Sequence, residues 1–415
     1  MLWVREIRGG RLKAELQRAR GTAPYLGGLG KLVSVLMSQM QDMRLNVNEA
    51  SENVRPILGI TMGDPAGIGP EITVKALRCA DVYKVCRPVV VGDAGVMRRA
   101  VPMVRGGAEV RAIDDPAKAA GDENVIEVFD LANVDAGKVE LGKVSAAAGE
   151  AGFQAIVKSI ELAMAGRIEA VVTNPIHKEA LHLAGHKFPG HTEIFAHYTG
   201  SKDSVMMLAE GHFRVAHVST HVSLKEAVAR VTKERVLRVI ELAAEACRNL
   251  GIENPRVAVA GLNPHAGEHG LFGDEEEKFI VPAIEEAVAK GIRATAPFAA
   301  DTLFPRAAAA AGGGGAKSEF DVCIAMYHDQ GHVAVKMRGF EFDAGKGAWK
   351  SVKGINVTLG TPIIRVSVDH GTAFDQAGKG TASEASLLDA IDYAAKMAGR
   401  KMAARKVGAG SGAKV

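Results

Sequence analysis

Four histidines in this 415-residue chain stand where side chains can meet a ligand. His221 ends Ser219-Thr220-His221, His265 lies in Gly261-Leu262-Asn263-Pro264-His265-Ala266-Gly267-Glu268, and His328 sits in Tyr327-His328-Asp329-Gln330-Gly331-His332. Each follows an apolar run that reads as a strand. His191 stands in a Gly-led loop, Pro189-Gly190-His191-Thr192-Glu193. Loops after strands are where α/β proteins gather their binding residues. Imidazole is the commonest metal ligand, and three of them leave positions open for substrate oxygens. Singly, each histidine reads as a hydrogen-bonding loop residue. Three of the 13 in equivalent places, with His191 beside them, point to a site. His177, His182, His186, His197, His212, His217, His269 and His332 read as solvent or loop residues.

Charged residues near these segments suggest partners. Asp301, in Asp301-Thr302-Leu303-Phe304, and Asp329 could orient an imidazole or act in proton transfer. Arg365 interrupts the apolar run Ile363–Val368, and Lys336 follows His328 in the next turns of chain. Cations directed into a cleft meet anions, with carboxylate or phosphate the natural choices. Gly63-Asp64-Pro65-Ala66-Gly67-Ile68-Gly69-Pro70-Glu71 follows the first strand-like run and opens a helix. Such glycines let backbone approach a ligand, and a helix N-terminus favours anions. The spacing is not the GxGxxG of dinucleotide folds, and a plain tight turn explains it equally well.

The elements that must position these residues alternate. Strand-like runs occur at Ile57–Thr61, Pro88–Gly92, Val125–Phe129, Ala170–Thr173, Ser204–Leu208, Val215–Ser219, Val257–Ala260, Val322–Met326 and Ile363–Val368. Helical periods cover Gly149–Ala165, Leu224–Leu250 with a fresh start near Thr232, Glu275–Lys290 and Ser386–Ala404. Alternation of this kind implies an α/β protein with a largely parallel sheet. Ala307–Ser318 and Glu341–Lys353 read as loop insertions, and the tail from residue 406 as disordered.

Composition narrows the function classes. A net charge of +3 and 5% aromatics argue against a nucleic-acid binder. No apolar run is long enough to span a bilayer, and a cytoplasmic location is expected. Cys79, Cys86, Cys247 and Cys323 form no CxxC pair and read as free thiols. Residues 1–54 are Arg-rich. An organellar presequence shares that bias, but a disordered extension or upstream sequence read from an early start is the plainer reading.

In order along about residues 55–400, these segments resemble the 4-hydroxythreonine-4-phosphate dehydrogenase family. The resemblance rests on Gly63–Glu71, Thr173-Asn174-Pro175-Ile176-His177-Lys178, Gly190–Glu193, Ser219–His221, Gly261–Glu268, Asp301–Phe304, Tyr327–Gly331, and Gly354–Gly360 leading to Asp369-His370-Gly371-Thr372-Ala373. His370–Ala373 followed by Ala377-Gly378-Lys379-Gly380 is also similar to the cofactor-adenosine loop of isopropylmalate and isocitrate dehydrogenases.

The resemblance implies an isopropylmalate/isocitrate dehydrogenase-like two-domain fold, with a largely parallel sheet in each domain and a cleft between them. The domains would be 55–185 plus 358–405, and 186–357. It implies one divalent cation (zinc, magnesium, cobalt or manganese) held by His221, His265 and His328 at a homodimer interface with ligands from both subunits. Substrate would be held by His191, Thr192, Lys336, Asn356 and Arg365, with Asp301 beside them. NAD or NADP would be held at Gly371, Thr372, Ala373 and Gly378. Lys336 or Asp329 would be the catalytic acid/base. The implied reaction is oxidation of the secondary alcohol of a phosphorylated hydroxy acid, first of all 4-hydroxythreonine 4-phosphate in pyridoxine phosphate biosynthesis, followed by decarboxylation. Thr173-Asn174-Pro175-Ile176, Gly331-His332 and Ala373-Phe374-Asp375 resemble the branch acting on 4-phospho-D-threonate or 4-phospho-D-erythronate. A metal-dependent hydrolase or lyase would use the same histidines without a nicotinamide. An acyl- or phosphate-transferring relative would lack the histidine triad, and a non-catalytic binding module would leave these residues without a task.

Overall fold

A computed structural model describes residues 55–105, 107–309, 318–345 and 348–411. The reading of residues 1–54, and most of that of Ala307–Ser318, lies outside the described residues. The main sheet has twelve strands. In spatial order they are β3 (Glu109–Ile113), β4 (Val125–Asp130), β2 (Arg87–Gly92), β1 (Ile57–Thr61), β5 (Ala170–Thr173), β14 (Ile364–Val368), β13 (Ile355–Leu359), β6 (Val205–Glu210), β7 (Phe213–His217), β10 (Val322–Ala325), β8 (Arg256–Val259) and β9 (Arg293–Ala294). β1, β5, β7, β10 and β14 are buried along their whole length, as strands covered on both faces must be. The helices include α1 (Gly69–Ala76), α2 (Ala146–Met164), α3 (His191–Thr199), α4 (Leu224–Ala229), α5 (Lys233–Asn249), α6 (Ala300–Ala309), α7 (His328–Gly339) and α8 (Ala385–Ser411). The break near Thr232 is a cap: its side chain accepts from Arg235 N at 3.2 Å and starts α5 afresh.

Two parallel blocks form the ends of this sheet. β3, β4, β2, β1, β5 and β14 run parallel to one another, as do β7, β10, β8 and β9. Between them, β14–β13, β13–β6 and β6–β7 are antiparallel. The largely parallel sheet expected in each half is present as these two blocks, which β13 and β6 join into one continuous sheet, and Arg55–Val415 forms a single compact unit. The boundary expected at 357/358 falls inside β13. Gly360 turns β13 into β14 at φ +80°, with an added Cβ only 2.4 Å from the Asp203 carbonyl oxygen, so no other residue fits that corner.

Several expectations need correcting. β13 and β3 went unread as strands because their polar residues break the apolar runs. Glu341–Lys353 is largely a hairpin: β11 (Phe340–Asp343) pairs antiparallel with β12 (Ala348–Val352), consistent with the Phe-Glu-Phe and Trp-Lys-Ser-Val alternation. α8 runs past Arg405 to Ser411. All four cysteines are free; Cys79 is half-buried and the others are buried, which pushes the Cys247 thiol up to about 11. Among the described residues, no helix is long and apolar enough to cross a membrane.

Candidate active site

Arg365 carries the strongest local signal. It lies on β14 with 3% of its surface exposed. Its guanidinium donates to Thr173 Oγ1 from Nε at 3.2 Å and Nη2 at 2.8 Å, and to Thr358 Oγ1 from Nη1 at 2.9 Å. The Phe195 ring packs 5.5 Å from its central carbon. Every hydrogen-bond partner is a neutral hydroxyl, and burial lowers its pKa to about 9, against the pull of Glu193. A buried cation without an ionic bond is costly unless a ligand completes it.

Its neighbours share that incompleteness. His191, which starts α3, has a buried Nε2 with no partner. Burial and then the Arg365 charge hold this ring well below the ordinary histidine range, so it is neutral. Thr192 follows in the same first turn and is half-buried. Asn356, on β13 opposite Ser367 and Leu208, has a buried Oδ1 without a partner, as does Asp369 at Oδ2. Burial raises the Asp369 pKa, while the charges of Lys336 and His328 oppose it, which places these three groups together. Lys336 is half-buried on α7, with Nζ 5.2 Å from the Phe340 ring centre. Glu193 acts electrostatically on both Arg365 and His221, joining the two ends of the group. Buried polar atoms in folded proteins are nearly always bonded, so such a concentration of open ones marks a polar ligand site.

Of the three histidines expected to share a cation, the structure brings two together. The His221 and His328 rings lie 5.8 Å apart. Burial lowers the His221 pKa, with Glu193 opposing and His328 and Lys178 adding to the effect. His328 Nδ1 lies 2.6 Å from Asp329 Oδ1, so Asp329 orients that imidazole. His265 is exposed on left-handed backbone, φ 54°, with its ring 6.0 Å from Phe272. Asp301 is exposed in the first turn of α6, which packs on the His265 turn rather than in the Arg365 pocket. Among the described residues, no three His, Cys, Asp or Glu side chains converge closely enough to hold a metal ion.

His217 and His332 were misread as solvent or loop residues. Both are buried, and His217 Nε2 lies 3.1 Å from His332 Nδ1. The available signals were the place of His217 at the end of an apolar strand and the four-residue step from His328 to His332. Burial pushes His217 down to about 4, opposed by its hydrogen bond to Met206 and aided by His328. With a folded value below the ordinary one of about 6.5, its contribution is complete above that pH and is lost as pH falls towards 4. Urea unfolding should therefore show about 2 kcal/mol less stability at pH 5 than at pH 7 from this ring alone, and His217→Asn should shrink the difference.

The expected cofactor residues form a loop clasped to Gly63–Glu71. Ile68 N donates to the Thr372 carbonyl at 3.1 Å. Gly371 is exposed, and Ala373 is held at φ 42°. The buried Glu71 carboxylate accepts from Gly378 N, and from Gly380 N at 2.8 Å. An added Cβ at Gly67 would lie 3.0 Å from the Thr372 carbonyl oxygen. The glycines thus allow approach of the chain's own loop, and Glu71 already supplies negative charge to the first turn of α1; the anion-site reading of this segment is not supported. Asn174 serves the same corner: its Nδ2 donates to Thr61 O at 2.8 Å and Thr73 Oγ1 at 2.7 Å. His177 stacks on Phe374 with ring centres 4.7 Å apart and acts electrostatically on the buried Asp64, whose Oδ2 is unpaired.

Known proteins resemble this chain over most of its length. The family described as pyridoxal phosphate biosynthetic protein PdxA matches residues 84–394. A D-threonate 4-phosphate dehydrogenase from Cupriavidus necator is 45% identical over 347 residues, covering 83% of this chain and 98% of its own length. A putative D-threonate 4-phosphate dehydrogenase from Bradyrhizobium diazoefficiens is 46% identical over 345 residues, covering 82% of this chain and 96% of its own. The crystal structure of a 4-hydroxythreonine-4-phosphate dehydrogenase from Burkholderia phymatum superposes with a TM-score of 0.71 at 45% identity, over 83% of this chain and 99% of that one. With a buried guanidinium pocket at the centre of a shared α/β sheet, the chain belongs to the PdxA family of dehydrogenases, oxidoreductases acting on CH–OH groups, which have the isocitrate/isopropylmalate dehydrogenase-like fold.

Proposed function

We propose that this enzyme oxidises the secondary alcohol of 4-phospho-D-threonate with NAD or NADP, and that the resulting β-keto acid loses carbon dioxide. The observation that carries the anionic substrate is Arg365, a buried guanidinium with only hydroxyl partners beside the open atoms of His191 and Asn356. Support for threonate comes from the names of the 44–46% identical relatives. 4-Hydroxythreonine 4-phosphate is the second reading, favoured by the name of the Burkholderia neighbour.

In this reading Arg365 neutralises an anionic group of the substrate, His191 presents a neutral ring, and Thr192 and Asn356 fix orientation. Lys336 Nζ moves the proton of the reacting hydroxyl. Asp329 is the weaker candidate, since it is exposed and already faces His328. The adenosine end of the nicotinamide cofactor would lie along Gly371, Thr372, Ala373 and Gly378. His221 and His328 fit a divalent cation as two nearby imidazole donors, one oriented by a carboxylate. The chemistry such a cation supplies is polarisation of substrate oxygens.

His265 and Asp301 would then complete the site from a second subunit. Apolar side chains on that side favour a homodimer: Val333 and Met337 are 53% and 81% exposed one turn apart on α7, and Leu271 and Phe272 are 72% and 48% exposed beside His265. The free thiols suit a reducing cytoplasm.

A turnover panel tests the reading. It pairs 4-phospho-D-threonate, 4-phospho-D-erythronate and 4-phosphohydroxy-L-threonine with NAD or NADP, with and without chelator. Fastest turnover is expected with the threonate, stopped by chelation. Substrate loss without nicotinamide reduction would favour a hydrolase or lyase instead.

A further inference from the structure

The geometry assigns His217 and His332 a task of their own: they are positioning residues that fix the ring plane and tautomer of His328. The carbonyl oxygen of Met206 can only accept, so His217 Nδ1, 3.2 Å away, carries the proton. A neutral imidazole has one N–H, which leaves His217 Nε2 as an acceptor. It faces His332 Nδ1 at 3.1 Å, so His332 also carries its proton on Nδ1. That same N–H lies 3.0 Å from the His328 carbonyl oxygen and ties the ring to the first turn of α7. Burial keeps the His217 ring neutral, holding it near 4.

This arrangement ends on His328. The His332 and His328 rings lie parallel, with centres 3.6 Å apart and planes within 11°. Their four-residue separation on one helix makes the stack. On its other side, His328 Nδ1 donates to Asp329 Oδ1 at 2.6 Å. With Nδ1 committed there and the plane held by His332, the lone pair of His328 is left on Nε2. The packing is built for this: a Cβ at Gly331 would lie 2.3 Å from His217 Nε2, so any side chain there would push that ring away.

The inference deepens the cation-binding reading of His328 and is tested apart from it. In long-range proton–nitrogen spectra of the whole protein labelled with [15N]histidine at pH 7, His217 and His332 should be Nδ1–H tautomers, and the neutral form of His328 should carry its proton on Nδ1. Finding His217 or His332 protonated on Nε2 would overturn it, and this readout needs no variant to fold. His332→Ala should mix the His328 tautomers and weaken Zn(II) affinity about 10- to 100-fold, measured by chelator competition. His332→Phe keeps a flat ring over His328 and should recover most of that affinity. An unchanged His328 spectrum and Zn(II) affinity in His332→Ala would sink the proposal. If the native protein shows the stated tautomers but binds no Zn(II), the cation reading fails and the positioning role stands.

Discussion

Arg365→Met should lower kcat/KM on the phosphorylated substrate about 30- to 5000-fold while leaving the urea midpoint unchanged or higher. The opposite signs follow from its surroundings. In the free enzyme the guanidinium is buried against Thr173 and Thr358 with no carboxylate bonded to it. Replacing an unpaired buried cation by an apolar group of similar volume removes a desolvation cost. An anion bound there loses a charge-assisted partner in a site shielded from water, worth about 2–5 kcal/mol. Arg365→Lys should rescue little, because the two threonines are placed for a planar fork and not for a single ammonium. Activity and stability falling together in Arg365→Met would make this arginine structural and remove the main support for an anionic substrate.

Glu71→Ala should cost about 2–4 kcal/mol of stability and markedly raise the Kd for the nicotinamide cofactor. The carboxylate accepts two backbone N–H groups, from Gly378 and Gly380, and is itself buried. Its removal leaves both donors without their acceptor, at about 1–3 kcal/mol each before relaxation. The loop they belong to holds Gly371, Thr372 and Ala373, so its loosening reaches the proposed cofactor contacts. Glu71→Gln retains one acceptor and should show an intermediate loss. Urea unfolding and calorimetric titration with NAD or NADP are the checks. Lost stability with unchanged cofactor affinity would confine the clamp to folding.

How much of this was legible before folding depended on the range of the interactions. Nine strands could be read because they are mostly buried and appear as largely apolar runs. β13 was not, since Asn356 and Thr358 point polar atoms towards a site and spoil the run. Arg365 was legible for the converse reason: a cation inside an apolar strand has few structural explanations. The role of Gly63–Glu71 was hidden because its partner is the loop from Gly371 to Gly380, and the close approach of the two belongs to tertiary structure. His217 and His332 were hidden in the same way, each made meaningful by the other from a different element. The placement of His265 after a strand was read correctly, yet the strand that carries it, β8, lies beyond β10 from His221, and the turn leaves its ring outside the pocket.

The single sheet also governs how the protein can be made. β5 pairs with β14, so the inner edge of the first parallel block stays open until the ribosome has produced Val368. At ~5–20 residues per second, that interval is on the order of 10–40 s. Throughout it, Ala170–Thr173 presents unpaired amides on an apolar strand, the kind of edge that recruits foreign strands. Nascent chains halted between these two strands are therefore the species that chaperones must shield, and release of a longer chain past Val368 should end that need.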